Sequence, residues 1–186
     1  GELAASMSFQ VTPSSVAETG GILELLALVR DDVSQPLAGA QVNFRSEVGT
    51  LASGGRFLTT DADGEARDTL TVTAADLQII GDDNFEVTAE VGGAGGSIIS
   101  RTFSVGIQRS PQASFSFQRA GLVVTFTDTS SGSPTSWQWD FGDGTPISSQ
   151  QNPVHAYSAA GTYVVTLSAR NSIGISTASN LVQITN

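Results

Sequence analysis

His155 is the sole histidine among the 186 residues, so any Ser-His-Asp relay would have to run through it. Serines and aspartates are plentiful, but no Gly-x-Ser-x-Gly elbow presents a nucleophile, and no second imidazole stands beside the first. Glycoside hydrolysis needs two carboxyl groups roughly 5–10 Å apart in a cleft, and nothing in the chain singles out such a pair. Asp61-Ala62-Asp63-Gly64-Glu65 has the opening of a calcium-binding loop. The closing bidentate Glu is missing at the required spacing, so the segment reads as a hairpin turn. Gly92–Gly96 lacks the Gly-x-Gly-x-x-Gly spacing and opens no helix, which argues against a dinucleotide site. Gly142-Asp143-Gly144 has the glycines a tight turn needs for unusual backbone angles, and Asp143 can close that turn with its own side chain.

Composition narrows the chemistry further. Lysine and cysteine are absent, and all eight basic residues are arginines. That excludes a P-loop phosphate grip and Schiff-base catalysis. The net charge of −10 argues against nucleic acid, which a polyanion would repel, and against anionic membrane surfaces. The charge is uneven. Residues 1–109 carry fifteen acids and six arginines, whereas residues 110–186 carry three acids and two arginines. Zero cysteine does not decide the compartment, because a chain this long can build a core without disulfides. No run of about 18 apolar residues exists, so this segment is not expected to insert into a membrane. No leader peptide is read at the start of the sequence, and Gly1 reads as a cloning remnant, which is compatible with removal of a native leader.

The elements that must position these residues are strands. Short runs rich in Val, Ile, Thr and Phe recur between clusters of Gly, Asp, Asn and Pro, which predicts an all-β fold. In the first part, Met7–Val11 is a short strand. Ile22–Arg30 is a longer, nearly continuous apolar run that reads as a buried strand. Val42 and Phe44 point inward, as do Leu70 and Val72 in Glu65–Thr73. Phe85, Val87 and Ala89 alternate with polar residues, and Phe103, Val105 and Ile107 share one face. In the second part, a strand starts at Ala113–Phe117, and Val124 and Phe126 share a face. So do Trp137, Trp139 and Phe141, with Trp139 inside and Trp137 partly exposed. Tyr163, Val165, Leu167 and Ala169 form a fourth set, and the last strand ends at Leu181–Ile184. This gives about six or seven strands across 111–186, the density of a small sandwich. The join is Gln108-Arg109-Ser110-Pro111, a short linker, so domains are expected at 1–109 and 110–186.

Trp137-Gln138-Trp139-Asp140-Phe141-Gly142-Asp143-Gly144-Thr145, Val154-His155-Ala156-Tyr157 and Gly161-Thr162-Tyr163-Val164-Val165-Thr166-Leu167 together resemble the PKD domain (polycystic kidney disease repeat), over about residues 111–186. The resemblance implies an immunoglobulin-like β-sandwich outside the cell. It makes Trp139, Phe141, Gly142, Gly144, His155, Tyr157, Gly161 and Tyr163 structural. His155 orders the approach to the next strand, and Tyr157 resembles a tyrosine corner whose hydroxyl bonds to backbone. Some PKD-like domains bind Ca²⁺ near this turn. Here that implies at most a weak site at Asp140 and Asp143, because no acid stands between Ser110 and Leu122. The protein is otherwise expected to fold without calcium or any cofactor.

Pro36-Leu37-Ala38-Gly39-Ala40-Gln41-Val42-Asn43-Phe44, Gly49-Thr50-Leu51, Thr60-Asp61-Ala62-Asp63-Gly64-Glu65-Ala66 and Leu70-Thr71 follow in order. They look like the group 1 bacterial Ig-like (Big-1) domain of invasin- and intimin-type adhesins, over about residues 8–107. The two resemblances together imply tandem immunoglobulin-like β-sandwiches and a non-catalytic module of a bacterial surface or secreted protein. Its role would be spacing, adhesion, or interaction with a protein or polysaccharide, as a monomeric part of a larger chain, with a lipid anchor one way of holding it. The alternative is an accessory binding region of a secreted protease or glycosidase. Fold analogy alone does not choose between them.

Overall fold

The chain falls into two compact units, Gly1–Gln108 and Arg109–Asn186. A computed structural model describes residues 3–185; Gly1, Glu2 and Asn186, and with them the reading of Gly1 as a remnant, lie outside the described residues. The boundary sits one residue before the expected 109/110. Arg109 goes with the second unit, and its carbonyl there accepts Asn171 Nδ2 at 2.7 Å.

The first unit contains β1 (Ser6–Thr12), β2 (Ser15–Ala17), β3 (Gly20–Arg30), β4 (Gln41–Ser46), β5 (Thr50–Leu51), β6 (Leu58–Thr59), β7 (Glu65–Thr73), the helix α1 (Ala74–Ile79), β8 (Asn84–Gly92) and β9 (Ile98–Gln108). Pairing runs β5-β7-β3-β2-β9-β8-β4-β6, with β1 antiparallel to β3. β2 meets β3 only at Ala17 and Gly20 and runs parallel to β9, linking the two layers of a sandwich. Period-two alternation fills the space between the layers. Leu23, Leu25, Ala27 and Val29 of β3 bury with Val42 and Phe44 of β4, Leu70 and Val72 of β7, and Phe85, Val87 and Ala89 of β8. Val105 and Ile107 of β9 join them, whereas Phe103 packs at the margin, half-buried.

Two features depart from the sequence reading. β3 is not buried on both sides. Ile22 is 64% exposed, and Glu24 also faces solvent, because β3 lies between β1 and β7 with its outer face uncovered. A short helix also interrupts the strands. Thr73 and Asp76 form a reciprocal cap, each side chain satisfying the other's backbone N–H, and Leu77 is the buried anchor.

The second unit contains β10 (Phe115–Ala120), β11 (Val123–Asp128), β12 (Ser136–Asp140), β13 (Val154–Ala156), β14 (Gly161–Arg170) and β15 (Ile175–Ile184). Its two sheets have the orders β10-β11-β13 and β12-β14-β15, all antiparallel. The first strand begins at Phe115, two residues later than expected; the Ala113 N–H is bonded to Ser176 Oγ at 3.1 Å. Trp139 is fully buried at the centre. Its ring lies 5.1 Å from that of Phe115 and 5.4 Å from that of Phe126. Val124, Val165, Leu167, Val182 and Ile184 close the core around these rings. The fold is thus nearly all β, as two tandem immunoglobulin-like sandwiches.

Candidate functional site

The distinctive residues of the second unit gather where β12 turns out of its sheet, and strand geometry places them. Alternation along β12 sends Trp139 inward and Gln138 and Asp140 outward. Past Asp140 the chain must reverse sharply. Asp140 Oδ1 accepts the Gly142 N–H at 2.9 Å, and Asp143 Oδ1 accepts the N–H and hydroxyl of Thr145 at 3.2 and 2.6 Å. Gly142 has φ +74°, and a Cβ there would stand 2.3 Å from the carbonyl oxygen of Val164. Gly144, at φ +79°, faces open space.

Asp143 Oδ2 has its own partner. The His155 Nε2–H donates to it at 2.8 Å, with both side chains largely shielded from water. Burial works against the Asp143 carboxylate. The hydrogen bonds from Thr145 and His155 outweigh it and hold the pKa below its ordinary value. The imidazole stacks on Phe141 at 3.9 Å and nearly parallel, and meets the Tyr157 ring edge-on at 4.7 Å. Tyr157 donates its hydroxyl to the Phe141 carbonyl at 3.2 Å. Burial, then the charge of Asp143, then Tyr163 push that hydroxyl up to about 12, so it stays a donor. Tyr163 stacks on Tyr157 at 4.3 Å and bonds to the Ala159 carbonyl. Gly161 passes close beneath, where a Cβ would lie 3.4 Å from the Tyr163 ring.

Two further residues complete the arrangement. Trp139 Nε1 donates to the Gln150 carbonyl at 2.9 Å, tying the loop after the turn to the core. Trp137 is half-buried and gives its Nε1–H to Asp128 Oδ2 at 2.7 Å. Asp128 also receives Ser130 and Gln151; burial opposes its charge, but these bonds outweigh that and lower its pKa. Sequence reasoning did not find Asp128, nor the pairing of Asp143 with His155. The bonds from Trp137 and Gln151 to Asp128, and the Asp143–His155 pair, join residues nine or more positions apart, and no local pattern announces such contacts.

Asp140 and Asp143, the pair the sequence offers for calcium, turn to different partners. Both oxygens of Asp143 are taken by Thr145 and His155, and Asp140 faces outward with one oxygen held by Gly142. Among the described residues no three of His, Cys, Asp or Glu gather into a metal-binding group. Ca²⁺ takes about six to eight oxygens, and this donor set does not suit it. In the first unit, Asp61 Oδ1 accepts the N–H groups of Asp63 and Glu65, the geometry of a closed hairpin turn.

Residues 109–186 match the family model described as the PKD domain. This segment is a PKD domain. It is 32% identical to the PKD1 domain of the Vibrio cholerae metalloprotease PrtV, covering 41% of this chain and 99% of that one, with a TM-score of 0.40. Two structures align over nearly the whole chain and show its fold. The ectodomain of mouse nectin-like molecule 4 does so at TM-score 0.61 and 17% identity, covering 98% of this chain and 65% of that one. InvD of Yersinia pseudotuberculosis does so at TM-score 0.59 and 16% identity, covering 96% and 57%. Within the PKD domain, Asp143, His155 and Tyr157 spend their polar atoms on one another, on Thr145 and on the backbone.

Proposed function

We propose that this chain is a non-catalytic segment of an extracellular bacterial protein, made of a Big-1-like sandwich followed by a PKD domain. It acts as a spacer and as an interaction surface for a protein or polysaccharide. The observation that carries this reading is the PKD match over residues 109–186. The geometry supports it: His155, the one imidazole, is committed to Asp143 and stacked on Phe141, a role in packing rather than proton transfer. The likeness to InvD supports the adhesin-type assignment of the first unit at the level of fold. The acidic surface fits a partner other than nucleic acid or an anionic membrane. A second reading, an accessory region of a secreted hydrolase, draws on the identity to a PKD domain of a Vibrio metalloprotease.

The test of location is protease treatment of intact cells producing the natural gene product. Loss of the segment without lysis is expected, and full protection would overturn the reading. The full open reading frame then separates the two roles. Further Ig-like repeats or a lipid anchor favour the spacer, and a flanking catalytic domain favours the hydrolase.

A further inference from the structure

The outer face of the β12-β14-β15 sheet is uneven. Cross-strand register sets Gln138 opposite Ser168 and Asp140 opposite Thr166. On the neighbouring strand, Ser168 faces Thr177 and Thr166 faces Ser179. At these positions the middle and far strands present small side chains, between the exposed Val164 and Leu181 on one side and Arg170 and Ile175 on the other, while β12 presents longer ones. Ile147 stands beside them, 56% exposed, on a loop pinned to β12 by two backbone hydrogen bonds between Trp139 and Ser148, at 2.8 and 3.0 Å. The result is a hollow of about 260 Å³ lined by Gln138, Asp140, Ile147, Thr166 and Ser168.

The polar groups of this hollow are fixed but not used up. Asp140 Oδ1 is held by the Gly142 N–H, and Thr166 Oγ1 shares a hydrogen bond with Ser179. Among the described residues, the Asp140 Oδ2, the Gln138 amide and the Ser168 hydroxyl make no hydrogen bond within the protein. A carboxylate oxygen accepts only, an amide both donates and accepts, and a hydroxyl does both. Vicinal hydroxyl groups need this mixture, and the C–H face of a sugar ring needs an apolar wall such as Ile147. A cation finds one carboxylate here and no second. An acidic sugar meets the like charge of that carboxylate.

We propose that this hollow is a binding site for one residue of a neutral polysaccharide. Asp140 and Gln138 take its hydroxyls, Ser168 and Thr166 form the floor, and Ile147 covers its C–H face. The site rests on the reading of the chain as an interaction segment and names the ligand class. Its small area makes a single contact weak, in the millimolar range, and a repeating ligand strengthens it through multivalency.

The experiment is a ¹⁵N-HSQC titration of the whole chain with methyl α-glucopyranoside, methyl α-mannopyranoside and, for comparison, glucuronic acid at neutral pH. Saturable shifts confined to Gln138, Asp140, Ile147, Thr166 and Ser168 are expected with at least one neutral glycoside, and weaker ones with the acid. Asp140→Asn keeps the acceptor for Gly142 and removes the charge. It should weaken binding on the order of tenfold, the loss of a charge-assisted hydrogen bond. Ser168→Ala is a second, smaller probe, and the same spectra report that each variant is folded. No saturable shift with either glycoside, shifts centred elsewhere, or unchanged binding by Asp140→Asn would overturn the site. None of those results bears on extracellular location, which cell-surface proteolysis tests separately.

Discussion

Trp139 carries the largest buried side chain of the PKD domain, so its truncation leaves the largest void there. Trp139→Ala should destabilise the PKD domain by roughly 3–5 kcal/mol, read as a shift in chemical denaturation. A loss under about 1 kcal/mol would contradict its central packing. The Asp143–His155 pair predicts a pH dependence with a definite sign. The folded-state pKa of Asp143 lies below the ordinary 3.8. Its contribution is therefore complete above that unfolded value and is lost as the pH falls through the lower folded one. The PKD melting temperature should drop on acidification through that range, and Asp143→Asn should flatten this part of the profile. An unchanged slope in the variant would remove Asp143 as its source. Calcium should matter little, because both oxygens of Asp143 already hold hydrogen bonds and no second carboxylate among the described residues joins it. A melt in chelator is expected to superimpose on one in millimolar calcium, whereas a calcium-induced rise abolished by Asp143→Asn would reinstate the site.

At the scale of elements, the turn between β12 and β13 separates two glycines that look alike in sequence. Gly144→Ala meets only the left-handed backbone penalty, on the order of 1–2 kcal/mol. Gly142→Ala meets the same penalty and also drives its Cβ onto the Val164 carbonyl, so it should cost clearly more. Equal losses in denaturant titrations would mean the contact relaxes. The repeated glycines and the aromatic alternation made this turn and its strands legible from sequence. So did the period-two runs of β7, β8 and β14. The helix α1 was not legible, because it follows the strand-forming run Leu70–Thr73 directly and is only six residues long. β3 misled for a different reason. Its outward face carries Ile22, Leu26 and Leu28 beside Glu24 and Arg30, so the apolar run looks continuous and hides which face meets a second layer. The hub at Asp128 and the partner of Asp143 depend on where loops land, which local periodicity does not encode.

At the scale of the whole molecule, two separate cores predict two separate folding reactions. Residues 1–108 and 109–186, produced individually, should each give a dispersed NMR spectrum and a cooperative melt; failure of either to fold would show that one unit needs the other. The resemblance covering the second unit was readable because its motif mixes rare residue types at fixed spacing. The first unit is built from commoner ones, so its sequence speaks mainly of fold. The ladder between β14 and β15 has a mechanical consequence. The chain enters the PKD domain beside Asn171 and Ser176, through bonds from Asn171 to the Arg109 carbonyl and from Ala113 to Ser176, and leaves it past Ile184. Those points lie at opposite ends of β15, roughly 30 Å apart at ordinary strand rise. Tension applied through the two ends therefore runs along the strand. All ten facing pairs of β14 and β15 are loaded in shear together, instead of being peeled apart one after another.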